Sequence, residues 1–505
     1  MEIMPVWIAH GLEVLAAMLI VVVGVMVVAL VAMFVIDATQ TKDAVRHNFP
    51  VLGRVRYVFS ALGEFFRQYF FAMDREEMPF NRAEREWVYR AAKGRDNTVA
   101  FGSTKNLNPA GTFIFINCPF PMREADAAVT QPIIIGPYCM EPYAAPSFFN
   151  ISGMSYGALS KPAVQALSRG ARMAGCWMNT GEGGLAPFHL EGGCDIVFQI
   201  GTAKYGVRKP DGTFSAEGLK KIAAHQQVKM IELKLSQGAK PGKGGILPAS
   251  KVTQEIADVR GIPEGEASIS PNRHPEVNSV TDLLDFIAHI REISGKPTGF
   301  KAVVGTHEWL DDLCQEIHKR GIESAPDFIT VDSGDGGTGA APMSLMDNVG
   351  LCIEESLPLV SDTLHKYGLR DRIKIIASGK LITPSDVAWA ICAGADFVTS
   401  ARGFMFSLGC IQALKCNKNT CPTGITTHDK RLQSGLNPED KAVKVANYQK
   451  NLVHEVEVIA HSCGASEPRG LRRKHVRIVQ ASGKSVPMDQ LYPRPEVIAS
   501  FDKAA

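Results

Sequence analysis

The stretch FITVDSGDGGTGAAP (328–342) runs from an apolar, β-branched segment straight into a string of glycines and small polar residues. That junction recurs along the chain. Segments that read as strands cover 147–151, 176–180, 195–199, 230–235, 299–304, 328–332, 373–377 and 397–399. Between most of them lie amphipathic stretches with helical spacing, at 161–174, 219–226, 280–293, 308–320 and 385–393. Eight strands, each followed by a helix or a long loop, predict an α/β fold of the (β/α)8 type, a TIM barrel, rather than an open sheet.

The glycine-rich strings fall just after the strands: ISGMSYGALSKPA (151–163), NTGEGG (179–184), QIGTAKYGV (199–207), KLSQGAKPGKGG (234–245), SGDGGTGAAP (333–342), ASGK (377–380) and SARG (400–403). Each alone is ordinary turn chemistry. Together they make a ring of loops at the C-terminal face, where barrel enzymes keep their sites. Gly379, Arg402 and Gly403 follow the seventh and eighth strands, where barrels bind phosphate through backbone N–H groups. No Gly-x4-Gly-Lys-Ser/Thr string is present, so a Walker loop is not indicated.

Immediately downstream, LGCIQALKCNKNTCPTG (408–424) sets Cys410, Cys416 and Cys421 in a C-x5-C-x4-C array. Three thiolates this close suit an iron–sulfur cluster held by three cysteines. A zinc knuckle does not fit, because no pair has the two-residue gap. Such clusters move single electrons, and FMN commonly converts these to hydride chemistry. The phosphate-type loops and the cysteines therefore predict bound FMN beside an iron–sulfur loop that follows the barrel.

The N-terminus is a separate element. Residues 14–36 carry no charge and are rich in Val, Leu, Ala and Met, enough for a helix to cross a hydrocarbon core of ~30 Å. No Lys or Arg precedes the run, the run is too long for a signal h-region and no small-x-small site follows it, so a signal peptide fits poorly. Lys42, Arg46, Arg54 and Arg56 follow the run and Glu2 and Glu13 precede it. The positive-inside rule then predicts a single-pass membrane protein with a cytoplasmic catalytic domain. The organisation expected is an anchor at 1–36, a charged and aromatic linker of helical and irregular structure at 37–131, the barrel with its cysteine motif at 132–427, and a helical or irregular extension at 428–505. A net charge of +2 gives no reason to expect nucleic acid, and 11 scattered cysteines suit a reducing compartment.

The ordered strings SGMSYGALS, NTGEGG, QGAKPGKGG, SGDGGTGAAP and GC-x5-C-x4-CPTG make residues 147–427 resemble the FMN-binding synthase domain of glutamate synthases. The resemblance implies FMN, a [3Fe-4S] cluster on Cys410, Cys416 and Cys421, and reductive amination of 2-oxoglutarate to L-glutamate through 2-iminoglutarate. It is to the shorter relatives that lack the glutamine amidotransferase domain. The nitrogen is then expected from ammonia, another amine, or an amidotransferase partner. Electrons are expected from a ferredoxin or a partner reductase, since no dinucleotide fingerprint appears in a strand–helix context.

Residue roles follow from the same resemblance. Gln237, Lys240 and Arg260 are expected on the substrate, the arginine pairing a carboxylate in two-pronged fashion. Glu182, with Lys240, is expected to be catalytic and to move a proton to or from the incoming nitrogen. Met154, Ser155, Gln199 and Lys301 are expected at the flavin ring, with the Lys301 cation stabilising the reduced form. Asp332, Gly336, Gly337, Gly379, Arg402 and Gly403 are expected around the ribityl chain and phosphate. Two other readings share much of this pattern: another FMN barrel oxidoreductase acting on a 2-oxo or 2-amino acid, and a membrane-associated electron-transfer module.

Overall fold

The computed structural model describes residues 6–499 and divides into two compact units, Met1–Ala83 and Glu84–Ala505.

In the first unit the helix Val6–Thr39 is apolar and exposed, and it is long and apolar enough to cross a membrane. Near its end the carboxylate of Asp37 is fully buried. It accepts from Arg46 (2.6 Å to Nη2), Arg54 (2.7 Å from Nε) and the Val51 N–H (3.1 Å). A buried charge needs such pairing, and here the pairing ties the helix end to the segments that follow, Ala44–Asn48 and Leu52–Phe66. A π-helical turn, Arg67–Phe71, continues the latter.

The second unit is built on a closed barrel of eight parallel strands: β1 (Phe149–Ile151), β2 (Met178–Asn179), β3 (Ile196–Ile200), β4 (Val228–Lys234), β5 (Thr298–Val303), β6 (Phe328–Asp332), β7 (Lys374–Ser378) and β8 (Phe397–Ser400). The last strand pairs with the first through Val398–Phe149, Thr399–Asn150 and Ser400–Ile151. Side chains alternate in and out along a strand, and this period of two stacks the interior in layers. The lower layer is apolar: Trp177, Val197, Met230, Phe328, Ile376 and Phe397 pack against Ile135, Tyr143 and Ala145 of an antiparallel hairpin that plugs the N-terminal end. Two residues further along each strand the layer turns polar, with Asn179, Gln199, Glu232, Thr330, Ser378 and Thr399, all buried. The C-terminal mouth lies above this second layer.

Outside the barrel, the helix Lys161–Ala174 starts at Ser160, whose Oγ accepts from Ala163 N, and stops at Gly175 with φ +70. The long helix Pro438–Ser462 lies against it. A Cβ on Gly170 would sit 2.4 Å from Val445, so the close approach needs glycine there. The strand Phe113–Phe115, from the segment before the barrel, pairs antiparallel with Val476–Val479, and that strand pairs with Ser485–Pro487.

Candidate active site

Within the polar layer Glu232 is the common acceptor. It takes hydrogen bonds from Asn179 Nδ2 (2.8 Å), Gln199 Nε2 (2.6 Å) and Thr330 Oγ1 (2.5 Å). Three donors on one buried carboxylate tie β4 to β2, β3 and β6 across the barrel interior below the mouth. Above it opens a cleft. Gln199, Lys234, Gln237, Lys301, Lys380 and Arg402 supply its polar wall, and Gly153, Gly337 and Gly379 its backbone wall.

Two of the cations are held by carboxylates on β6 and its loop. Lys301 pairs with Asp332 at 3.0 Å, and Lys380 with Asp335 at 2.5 Å. Burial works to lower the Lys301 pKa, but Asp332 and Glu232 outweigh it and raise it. Arg402 is pushed down to about 10 by burial, against Asp335 and Asp332, and so stays charged. Asp332 also accepts the Gly238 N–H at 3.0 Å, which locks the β4 loop to β6. The glycines are needed for close packing. A Cβ on Gly379 (φ +123) would lie 2.3 Å from Ser333, and one on Gly337 would lie 2.8 Å from Arg402 Nε. Gly336 packs on Gly238, and Gly403 lies beneath the Tyr448 hydroxyl. A cleft walled by bare backbone and four cations fits an anionic, phosphorylated ligand such as FMN.

One edge of the cleft leads to a second group of charges. Lys234 Nζ lies 2.9 Å from Glu182 Oε2 and also donates to Gln237 Oε1. Gln237 Nε2 donates in turn to Thr338 Oγ1 at 3.0 Å. A Cβ on Gly245 would lie 2.4 Å from Glu182 Oε1, and one on Gly201 would lie 2.6 Å from Glu182 Cβ, so two glycine loops close around this carboxylate. Burial favours the neutral acid, but Lys234, Lys240 and Arg260 together hold the Glu182 carboxyl below its usual value. Burial lowers the pKa of Lys240, with Glu182 opposing. Arg260 is buried over the Tyr205 ring, 5.0 Å from its centroid. It donates to the Tyr156 carbonyl (3.1 Å) and Ser268 Oγ (3.2 Å), and its Nε has no hydrogen-bond partner among the described residues. The backbone of Met154 and Ser155 packs on Gly181, next to Glu182, where a Cβ would meet Ser155 N at 2.5 Å, and neither residue lines the cleft. The group is thus one carboxylate among three cations, which leaves a net positive site for a small dianion.

The cysteine loop lies at 410–421. Gln412, Leu414 and Asn419 adopt positive φ there, so the backbone curls in a way these residues rarely adopt. Lys251, itself buried, donates to the carbonyls of Cys416 (2.8 Å) and Ala158 (3.2 Å), and Asn419 Nδ2 donates to Ser250 O at 3.0 Å. The loop is therefore tied to both the β1 loop and the β4 loop. Burial pushes the Cys410 thiol up to about 12, with Cys416 and Cys421 adding to the rise. Hydrogen bonds from Thr423 and Thr426 outweigh burial at Cys421 and lower it. Among the described residues no three His, Cys, Asp or Glu side chains are arranged to hold a metal ion. The soft, all-thiol donor set fits an iron–sulfur group by chemistry.

The family model described as the conserved region in glutamate synthase matches residues 124–466, which takes in the whole barrel, the charged edge and the cysteine loop. The chain belongs to the glutamate synthase family. It is 39% identical to the glutamate synthase large subunit-like protein YerD of Bacillus subtilis, over 94% of this chain and 98% of that protein. It is 36% identical to the archaeal glutamate synthase [NADPH] of Methanocaldococcus jannaschii over 65% of this chain, and there it spans 61% of the relative's length. Among solved structures, mandelate oxidase with benzoyl-formic acid aligns over 78% of this chain and 98% of its own, with a TM-score of 0.43 and 15% identity.

For this member of the family, sequence reasoning missed several residues that structure brings to the site. Lys234 and Glu232 both point inward from β4, as the period of two from Met230 requires. Lys380 follows Gly379 directly and was legible as part of ASGK. Lys251 had no signal in sequence, because its partners lie at 158 and 416.

Proposed function

We propose that the protein is a glutamate synthase-type oxidoreductase that acts on CH–NH2 donors and reductively aminates 2-oxoglutarate to L-glutamate. The observation that carries this reading is Glu182 enclosed by Lys234, Lys240 and Arg260 at the edge of a cation-walled cleft. FMN would lie in the cleft, held by Gln199, Lys301, Lys380, Arg402 and the backbone at Gly153, Gly337 and Gly379. Cys410, Cys416 and Cys421 would hold a [3Fe-4S] cluster. When bound, these groups supply one-electron entry and hydride delivery.

The chain's own residues bind, orient and move protons. Lys240 and Arg260 neutralise the two carboxylates of the oxo acid, and Gln237 orients its oxo end. Neutralising a dianion in a shielded site is worth more than the same pairing in water. Glu182 remains ionised because of its cationic neighbours, so it can accept a proton from the attacking ammonia at one carboxylate oxygen. Lys234 holds the other oxygen and can return a proton to the departing water. The glycine loops packed around Glu182 narrow the path by which solvent could hydrolyse the imine.

Ammonia, another amine or an amidotransferase partner supplies nitrogen, and a ferredoxin or partner reductase supplies electrons. The apolar N-terminal helix anchors the protein as a single pass, with the barrel on the cytoplasmic side. The test is a titration of 2-oxoglutarate against the flavin absorbance, with a monocarboxylic 2-oxo acid as comparison. A response to the dicarboxylate at far lower concentration supports the reading. Equal responses point instead to another 2-oxo or 2-amino acid oxidoreductase, and no response to either points to an electron-transfer module.

A further inference from the structure

The segment that follows the apolar helix carries an unusual surface. Along Leu52–Phe66 the residues Leu52, Val55, Phe59, Leu62 and Phe66 recur at alternating spacings of three and four, which places them on one face. Val58 and Phe65 widen that face, and Tyr69, Phe70 and Phe71 extend it through the next turn. This face is open: Leu52 is 71% exposed, Phe59 67%, Phe70 67% and Phe71 74%. Tyr57 and Ser60 lie on the far side of the helix, with Arg56 flanking the stripe. A helix of a soluble unit buries such a stripe; an apolar stripe left open needs a partner.

The Asp37 clamp identifies that partner. Asp37 lies two residues before the end of the apolar helix, and its carboxylate binds Arg54, in the first turn of Leu52–Phe66, as well as Arg46 and the Val51 N–H. Gln40 adds a second tie: its Nε2 donates to the Asp43 carbonyl at 2.8 Å and its Oε1 accepts the Asp43 N–H at 2.9 Å. The amphipathic helix therefore begins where the apolar helix ends. If the apolar helix spans a bilayer, its neighbour starts at headgroup depth. Residues 37–71 carry five basic side chains, Lys42, Arg46, Arg54, Arg56 and Arg67, against Asp37, Asp43 and Glu64. That balance favours an anionic lipid surface, and exposed Phe and Tyr are the residues that settle at the headgroup boundary.

We propose that residues 52–71 form a second membrane-contacting element, an amphipathic helix lying in the plane of an anionic lipid surface with Leu52, Val55, Phe59, Leu62 and Phe66 in the acyl boundary. The proposal rests on the anchor reading for its depth. The Asp37 clamp sets the helix against the membrane and so fixes how the chain leaves the bilayer.

The test uses the full chain in nanodiscs that contain anionic lipid, with Phe59→Trp and Ser60→Trp compared against the unsubstituted protein. Lipids brominated near the headgroup end of their acyl chains are the probe. The emission added by Phe59→Trp should lose about half or more, as expected for a side chain ~5–10 Å into the boundary, while that added by Ser60→Trp should lose little. Equal quenching of the two, or no quenching of Phe59→Trp, overturns the proposal. A Phe59→Ser/Phe66→Ser variant that lowers the oligomeric mass in detergent, together with an unquenched Phe59→Trp, assigns the face to a second copy and also overturns it. Alkaline carbonate extraction tests the anchor separately. Release of the protein removes the anchor, whereas quenching in nanodiscs still decides the surface helix.

Discussion

Replacing Lys234 with Met keeps most of the side chain's length and removes its charge from an enclosed ion pair of the site. Nζ lies 2.9 Å from Glu182 Oε2, and the two side chains are only 11% and 18% exposed. Breaking a buried pair by removing one partner costs about 3–5 kcal/mol, because the other charge is left uncompensated. Lys240 and Arg260 still face Glu182, and the cleft edge admits water, so a loss of about 2–3 kcal/mol is expected. The sign with pH follows from the same neighbours. In the wild type the Glu182 carboxyl is held below its usual value, so its contribution to folding is present above the unfolded-state pKa and is lost as pH falls through the folded-state pKa. Without Lys234, burial, the largest single influence, gains ground and the carboxyl rises. The variant is then penalised most near neutral pH and approaches the wild type in acid. Denaturant unfolding of the solubilised protein, followed by tryptophan emission at neutral and mildly acid pH, measures this difference. The same substitution in a Glu182→Gln background should cost much less, since no carboxylate remains to be stranded. An equal cost in both backgrounds, or a cost that does not change with pH, would refute the pairing as the source of the effect.

Other outcomes follow from the same geometry. Glu232→Val should destabilise the barrel by about 2–4 kcal/mol, by stranding the donors of Asn179, Gln199 and Thr330, while Glu232→Gln, which keeps an acceptor, should cost less; paired denaturation curves compare them. Cys416→Ser should remove the iron and the low-temperature EPR signal of an oxidised three-iron cluster while much of the flavin stays bound. An unchanged EPR signal would sink that ligand assignment. Arg260→Ala should weaken 2-oxoglutarate binding by roughly 30- to 1000-fold, the usual loss of about 2–4 kcal/mol for a charge-assisted pair in a shielded site, and should spare FMN. Wild-type affinity in the flavin titration would remove Arg260 from the substrate.

The barrel was legible because its strands are β-branched runs that end on glycine, and those are local features. The helices at 161–174 and 308–320 fall on the residues read from sequence, since their apolar spacing and ends are local too. The helix read at 219–226 is Ala216–Ala223, because Ser215 Oγ accepts the Gly218 N–H and starts it earlier. The one read from 385 begins at Pro384, under a capping box between Thr383 and Asp386. The strand Phe113–Phe115 was not anticipated, as its partner lies at Val476–Val479 and nothing local marks the pairing. The site shows the same division. Gln237 and Lys240 belong to a recognisable string, whereas the convergence of Glu232 with Asn179, Gln199 and Thr330 depends on strand register. The Asp37 clamp was hidden for a similar reason, since an acid at the end of an apolar run gains meaning only when Arg46 and Arg54 fold back onto it.

The central claim is that this charged edge and cleft carry out reductive amination. It is tested most directly by one anaerobic single-turnover measurement on the solubilised holoprotein, with its flavin reduced beforehand and then mixed with 2-oxoglutarate and isotopically labelled ammonia. The account predicts that the flavin is reoxidised only when both are present, with one labelled L-glutamate formed per flavin reoxidised. A flavin that stays reduced in the presence of both, or one that reoxidises without forming labelled glutamate, would contradict it.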